Sequence, residues 1–201
     1  MPIARSYQSF EVREMLQRAE HTASPVTGVD AHSRSLHAMR TPGGVGVNQP
    51  EMMHRTHKLP TESNTGFKNR GGAVRTSTFA NLLQQADAAC QALNSTLGQR
   101  ALAVLDMPAH AGKNLRLTLE FGPIRQAGFL PAAGAPHMHT VHKNDAAVQT
   151  PGAGATGVRL IADRAAGGTS LHVQTCFPLD ALPVSSFKIR DMTANIDVAS
   201  G

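Results

Sequence analysis

Imidazoles, cations and hydroxyls are concentrated between residues 54 and 78, in a combination that suits chemistry on a phosphodiester. The cluster comprises His54, His57, Lys58, Lys68, Arg70, Arg75, Thr76, Ser77 and Thr78. A histidine that titrates near neutral pH can accept a proton from a ribose 2′-hydroxyl, while nearby cations stabilise the charge that builds on the phosphate. The alternative interpretation is a solvated basic loop, because Gly-rich approaches to helices are common on protein surfaces.

The segment that follows this cluster has the period of a helix. Apolar residues recur at steps of three and four, namely Phe79, Leu82, Leu83, Ala86, Cys90 and Leu93. Ser77 or Thr78 is the predicted N-cap of this helix. Unpaired backbone N–H groups at such an N-terminus suit a phosphate. A second helix is expected after Ser95, with Leu97, Ala101, Leu102 and Leu105 facing inward.

Beyond residue 107 the apolar period becomes that of strands. Leucines alternate with polar residues over 115–121, and further strands are predicted over 158–163 and 170–177. Arg116 and Glu120 therefore share one face, either as phosphate clamp and base or as ordinary cross-strand contacts. In the last predicted strand, strict alternation assigns Thr175 to the face of Val173 and opposite to His172.

A long segment rich in Ala, Gly, Pro and His, residues 131–157, separates these strands and is predicted to be a loop that is either functional or disordered. It contains His137, His139 and His142. Three imidazoles can bind zinc, but their spacing differs from H-E-x-x-H and no cysteine or carboxylate is close in sequence. We therefore expect no metal and no cofactor.

The elements predict an α+β fold, in which N-terminal helices pack on a small antiparallel sheet after a flexible N-terminal arm. Residues 1–20 form an amphipathic helix, 21–50 a linker that is nearly free of bulky apolar residues, 51–190 a compact domain and 191–201 a tail. Phe187 to Val198 is an alternative final edge strand. Cys90 and Cys176 are expected to be buried free thiols.

The charge of the chain favours polyanionic partners. Its 201 residues carry a formal net charge of +5 and have a pI of about 9.8, which favours nucleic acid but also serves solubility. The sequence has no apolar run of the roughly 18–20 residues that span a bilayer and no classical signal peptide, so we expect no membrane insertion.

The order of these elements, with Arg75–Phe79 opening a helix and HVQTCFP closing the sheet, resembles toxin domains of the barnase–EndoU–colicin–RelE ribonuclease superfamily over about residues 52–178. The resemblance implies His57, or else His54, as the catalytic histidine. It also implies Arg75 and Ser77 as phosphate-binding positions, and Thr175 before Phe177 and Pro178 as the family's strand motif. The long insertion after Leu130 departs from the family pattern.

The leading hypothesis is thus a toxin or effector that cleaves RNA without a metal. Candidate catalytic residues are His57, His54, Arg75, Ser77, Thr175 and Glu120, and candidate RNA-binding residues are Lys58, Lys68, Arg70 and Arg116. An immunity protein or secretion chaperone is the expected protein partner. Delivery into a target cell without a classical signal peptide is expected, and otherwise a cytoplasmic location. The alternatives are a non-enzymatic effector or adaptor that binds a protein, and an ADP-ribosyltransferase-like toxin that uses Arg55 and residues 77–79.

Overall fold

The computed structural model describes residues 2–31, 75–79, 81–124, 138–142, 157–179 and 184–201, with the backbone alone for 75–78 and 138–142. Over these ranges the fold is α+β, as the sequence predicts. Helices cover one face of a five-stranded antiparallel sheet.

The N-terminal helix, α1, spans Ser9–Ala19 and is amphipathic as predicted. A capping box fixes the N-terminus of α1, in which Glu11 Oε2 accepts a hydrogen bond from the backbone N–H of the N-cap residue Gln8 at 2.7 Å. The buried stripe of α1 consists of Val12, Met15, Leu16 and Ala19. Because this stripe packs on the second helix and on one edge of the sheet, α1 belongs to the core and is not a separate arm.

Two helices follow one another with a single residue between them. Helix α2 spans Leu82–Asn94 and helix α3 spans Thr96–Leu105. Asn81 caps α2, since its Oδ1 accepts from Gln84 N–H at 2.9 Å. Ser95 caps α3 by accepting from Gly98 N–H at 2.9 Å. Leu83, which the sequence assigns to the buried stripe, is 45% exposed.

The predicted cap at Ser77 or Thr78 is wrong, because Arg75–Phe79 is a strand, β1. It pairs antiparallel with β3, Met138–His142. The predicted loop over 131–157 therefore contains a strand, and the helix begins only where Asn81 supplies a capping oxygen. The β-branched threonines of β1 favour extended backbone, which is the physical reason for the difference.

The main sheet has the order β5-β4-β2-β6-β7 and is antiparallel throughout. Strand β2 spans Leu115–Phe121, β4 spans Gly157–Arg164 and β5 spans His172–Leu179. The last two strands are β6, Ser186–Asp191, and β7, Ile196–Ser200. Residues 191–201 are therefore not a tail, since Asp191 ends β6 and Ile196–Ser200 form the strand that closes one edge of the sheet.

Part of the predicted linker is also ordered against the core. Residues 20–31 continue from α1, and Ser24 and Ala31 are 3% and 1% exposed. Glu20 and Ala31 form a parallel bridge, and Ala23 and Asp30 an antiparallel one. The rest of the predicted linker, 32–50, lies outside the described residues. The polar composition of this segment predicted a linker. In the structure a polar side chain, Ser24, instead holds the turn in place through hydrogen bonds.

One hydrophobic core joins helices α1, α2 and α3 and the main sheet. The helices contribute Leu16, Ala89, Leu93 and Leu102, and the central strands contribute Leu117, Leu119, Leu160 and Ile189, each no more than 1% exposed. Both cysteines are free and buried, as predicted. Burial raises the pKa of the Cys176 thiol, so that it stays protonated and behaves as a small apolar side chain.

Candidate nucleic-acid interface

The sheet face turned away from α2 and α3, here called the outer face, carries most of the polar side chains of the sheet. The strand registers align these residues in three rows that run across the sheet. In strand order from β5, the rows are His172, Asp163, Arg116, Arg190 and Asp197; Thr175, Ile161, Thr118, Lys188 and Ser200; and Phe177, Arg159, Glu120 and Ser186. Arg116 and Glu120 thus share a face, as the sequence predicts.

Arg116 is bound on its β4 side by a buried carboxylate. Its Nε and Nη2 donate to the two oxygens of Asp163 at 2.8 and 2.9 Å. The Asp163 side chain is 0% exposed and that of Arg116 is 26% exposed. The hydrogen bond to Asp163 raises the pKa of Arg116 and outweighs the effect of desolvation. The pair is a fixed structural element that also holds a cation at the surface.

The N-terminal segment reaches the same carboxylate. Ser24 Oγ donates to Asp163 Oδ2 at 2.5 Å and accepts from the backbone N–H groups of Val26 and Thr27. Nearby, Gln174 Nε2 donates to the carbonyls of residues 29 and 30 at 3.2 and 2.9 Å. Residues 24–30 therefore close one end of the outer face. No local pattern in the sequence identifies Ser24 as a partner of a strand residue.

Glu120, a candidate base, is also engaged. It forms an ion pair with Arg159, whose Nε donates to Glu120 Oε1 at 2.6 Å. The Arg159 guanidinium lies 5.4 Å from the centre of the Phe177 ring. This arrangement is the cross-strand contact that the sequence left open as an alternative, and it extends the cationic surface toward β5.

Thr175 lies on the outer face, opposite to the face that strict alternation predicts. The β4 register passes from Val173 to Thr175, and the extra residue, Gln174, forms a β-bulge. Val173 and Thr175 therefore face opposite sides of the sheet. Thr175 is 7% exposed, and its hydroxyl has no hydrogen-bond partner among the described residues. A buried hydroxyl without a partner is unusual and costs about 1–3 kcal/mol.

His172 stands at the end of the first row, as the register partner of Asp163. Its Nε2 is buried and has no partner in the described part of the chain. Burial lowers the pKa of His172, and the negative charge of Asp163 opposes that shift only partly. The imidazole is therefore neutral near pH 7.

The predicted phosphate-binding residues Arg75 and Ser77 belong to β1. Their register partners in β3 are His142 and Thr140. Strand β1 also contacts β5, the strand of Thr175. The elements that carry three of the predicted site residues are thus neighbours. The expected phosphate site at a helix N-terminus is wrong, because these residues are in a strand.

The other members of the basic cluster, His54, His57, Lys58, Lys68 and Arg70, lie outside the described residues. Over the described ranges, no group of three His, Cys, Asp or Glu side chains is arranged to hold a metal ion. In the same ranges, no helix has the length and apolar character needed to cross a bilayer.

Comparison with protein-family models, curated proteins and solved structures finds no match to this chain.

Proposed function

We propose that this protein is a toxin or effector that cleaves RNA by metal-independent general acid–base catalysis. The observation that carries the proposal is the contact between β1 and β5. It brings the strand of Arg75 and Ser77 beside the strand of Thr175, whose hydroxyl lies on the outer face without a partner among the described residues.

In this proposal the ribose 2′-hydroxyl attacks the adjacent phosphate, and the 5′-oxygen of the next nucleotide leaves. His57 either takes the 2′-hydroxyl proton or donates a proton to the leaving 5′-oxygen, and water makes the other proton transfer. Arg75 stabilises the negative charge on the phosphate. The Thr175 hydroxyl donates a hydrogen bond to a phosphate oxygen. The products are a 2′,3′-cyclic phosphate and a free 5′-hydroxyl.

The electrostatics of the outer face support an RNA substrate. Four cations project from its central strands, namely Arg116, Arg159, Lys188 and Arg190. Asp163, Glu120 and Asp197 each pair with one of them, and among the described residues Arg190 has no ion pair. Such a surface attracts a phosphate backbone through counterion release and leaves base identity largely unread.

The test is cleavage of an end-labelled RNA by the purified protein in EDTA. His57→Ala and Arg75→Ala should each lower the single-turnover rate by about 100-fold or more. Thr175→Val removes only the hydroxyl and should lower the rate by about 10-fold or more. Ile161→Val is the matched control, since Ile161 is the register partner of Thr175 on the same face. It should retain the parent rate.

Three results would contradict the proposal. One is the absence of cleavage of any RNA, a second is cleavage that requires a divalent metal, and a third is equal activity of the His57, Arg75 and Thr175 variants and the parent. Products that carry a 3′-hydroxyl would exclude the cyclic-phosphate route. Harmless expression inside bacteria, unchanged by His57→Ala, would instead favour a protein-binding adaptor.

A further inference from the structure

A groove of about 370 Å³ lies on the outer face between β2, β6 and the turn that joins β6 to β7. Three of the described residues that line it are cations, and none of the described ones is a carboxylate. The lining comprises Arg116, Thr118, Lys188, Arg190, Met192 and Asn195. The groove is separate from Thr175, which is in β5 at the other edge of the sheet.

The cations of the groove are neighbours in the sheet. Arg116 and Arg190 are direct register partners, and Lys188 is the partner of Thr118 in the adjacent row. Like charges directly opposite each other destabilise an antiparallel pair. An anion bound between Arg116 and Arg190 would therefore lower the repulsion between the two guanidinium groups.

Two of the three cations in the groove form ion pairs with described carboxylates, and the third, Arg190, does not. Arg116 is paired with Asp163, and Lys188 with Asp197 at 2.7 Å. Arg190 Nη2 instead donates to two neutral acceptors, the carbonyl and side-chain oxygens of Asn195, at 3.1 and 2.7 Å. Its Nε is buried without a partner among the described residues. Arg190 thus forms no ion pair with a described carboxylate, since Asp197, its register partner in β7, binds Lys188 instead.

The turn between β6 and β7 fixes Arg190 in this position. Asn195 has a φ of 59°, a left-handed conformation that asparagine tolerates better than most residues. Asp191 Oδ1 accepts from the N–H groups of Thr193 and Ala194 at 3.0 and 3.1 Å. The guanidinium is therefore held before any ligand arrives, which reduces the entropy lost on binding.

We propose that this groove binds a backbone phosphate of single-stranded RNA, with Arg190 and Lys188 as the contacting cations. The inference rests on the proposed function for its choice of ligand. Thr175 and Lys188 lie in one row, three strand spacings apart, or about 14 Å. A strand with its scissile phosphate near Thr175 would therefore cross the sheet and place a more distant phosphate in the groove.

The experiment uses a 2′-O-methyl RNA oligonucleotide, which lacks the attacking hydroxyl and so separates binding from cleavage. Its affinity is measured by fluorescence anisotropy at several salt concentrations. Arg190→Gln should weaken binding about tenfold and reduce the slope of log affinity against log salt by about 0.7, the value for one phosphate contact on a single strand. Lys188→Gln, at a side chain that is 53% exposed, should act in the same direction.

Arg100→Gln is the matched control, because Arg100 is an exposed arginine of α3 and its loss changes the net charge equally. It should leave the salt slope unchanged. Inorganic phosphate is the second probe, titrated into parent and Arg190→Gln protein. Equal salt slopes for the Arg190, Lys188 and Arg100 variants would overturn the inference. So would an Arg190 effect on inorganic phosphate alone, which would assign the groove to a free anion.

The two proposals can fail separately. Loss of oligonucleotide binding in the groove variants, with no cleavage by the parent, would retain the groove and refute the ribonuclease. Cleavage in EDTA by the parent, with unchanged oligonucleotide binding in the groove variants, would retain the ribonuclease and refute the groove. The urea midpoint of each variant establishes whether it is folded. If Arg190→Gln does not fold, the salt slope of Lys188→Gln tests the inference instead.

Discussion

Replacing Arg116 with methionine should reveal how strongly the outer face depends on one buried ion pair. The change removes the guanidinium but keeps an unbranched apolar side chain of comparable reach. It leaves Asp163, whose side chain is 0% exposed, with the Ser24 hydroxyl as its remaining side-chain hydrogen-bond donor among the described residues. A buried carboxylate that loses its cation is an uncompensated charge in a poorly solvated site, and this strongly lowers the free energy of unfolding.

The expected cost follows from burial. Removing one partner of a buried pair destabilises a protein by about 3–5 kcal/mol. Since Arg116 is 26% exposed and Ser24 still donates to Asp163, we expect the lower limit, about 3 kcal/mol. For a chain of this size that corresponds to a fall of about 6–12 °C in Tm. Replacing both residues, as Arg116→Met with Asp163→Leu, should recover more than about 1 kcal/mol of the loss.

The matched control is Arg159→Met, which breaks the other pair between the same two strands on the same face. There Arg159 and Glu120 are 39% and 24% exposed, so water can solvate the carboxylate that remains. A pair of this kind contributes about 0–1 kcal/mol. The free energy of unfolding is measured by urea titration with circular dichroism for the parent, both single variants and the double variant.

This prediction is wrong if Arg116→Met lowers the free energy of unfolding no more than Arg159→Met does, since burial would then not govern the strength of the pair. It also fails if the double variant is less stable than Arg116→Met alone. That result would mean that Asp163 stabilises the fold chiefly through Ser24 and the N-terminal segment.

Three further predictions concern other parts of the molecule. Burial lowers the pKa of His172 from its ordinary 6.5, so below that pH the unfolded chain binds a proton that the folded chain does not. Urea titrations at a series of pH values should therefore show that the free energy of unfolding falls less steeply below pH 6.5 in His172→Gln than in the parent. A Cβ at Gly98 would lie 2.6 Å from the Leu93 carbonyl oxygen, so Gly98→Ala should lower the urea midpoint sharply, whereas Gly112→Ala, which meets open space, should not. Ser24→Ala removes the hydrogen bond to the buried carboxylate and should speed cleavage by the broad-specificity protease proteinase K between residues 20 and 31, which contain no Lys, Arg, Phe, Tyr or Trp. An unchanged rate of cleavage there would contradict the docking of this segment.

Local patterns in the sequence were sufficient for most of the fold. Alternating leucines over 115–121 predicted β2, and the apolar stripes predicted α1 and most of the two central helices. Burying one face of a helix or strand requires apolar residues at a fixed period. That period does not depend on which other elements pack against the face, so it can be read from the local sequence. The period of two residues in a strand also predicted that Arg116 and Glu120 share one face.

Pairing and strand irregularities depended on the tertiary structure. The bulge at Gln174 moves Thr175 to the outer face, and nothing in the local alternation of β5 indicates it. Extended backbone at 75–79 is stabilised by pairing with β3, which is distant in sequence. For that reason the predicted start of the helix at Ser77 or Thr78 was wrong, and so was the phosphate site predicted at its N-terminus.

The polar contacts of the outer face show the same limit. Ser24 and Asp163 are 139 residues apart in sequence, and Arg116 and Asp163 are 47 apart. The sequence determined that the chain has cations, carboxylates and a sheet with one polar face. Which carboxylate neutralises which cation, and which cation remains available to an anion, was decided by strand order and register. These are set by burial of the opposite, apolar face and not by the polar residues themselves.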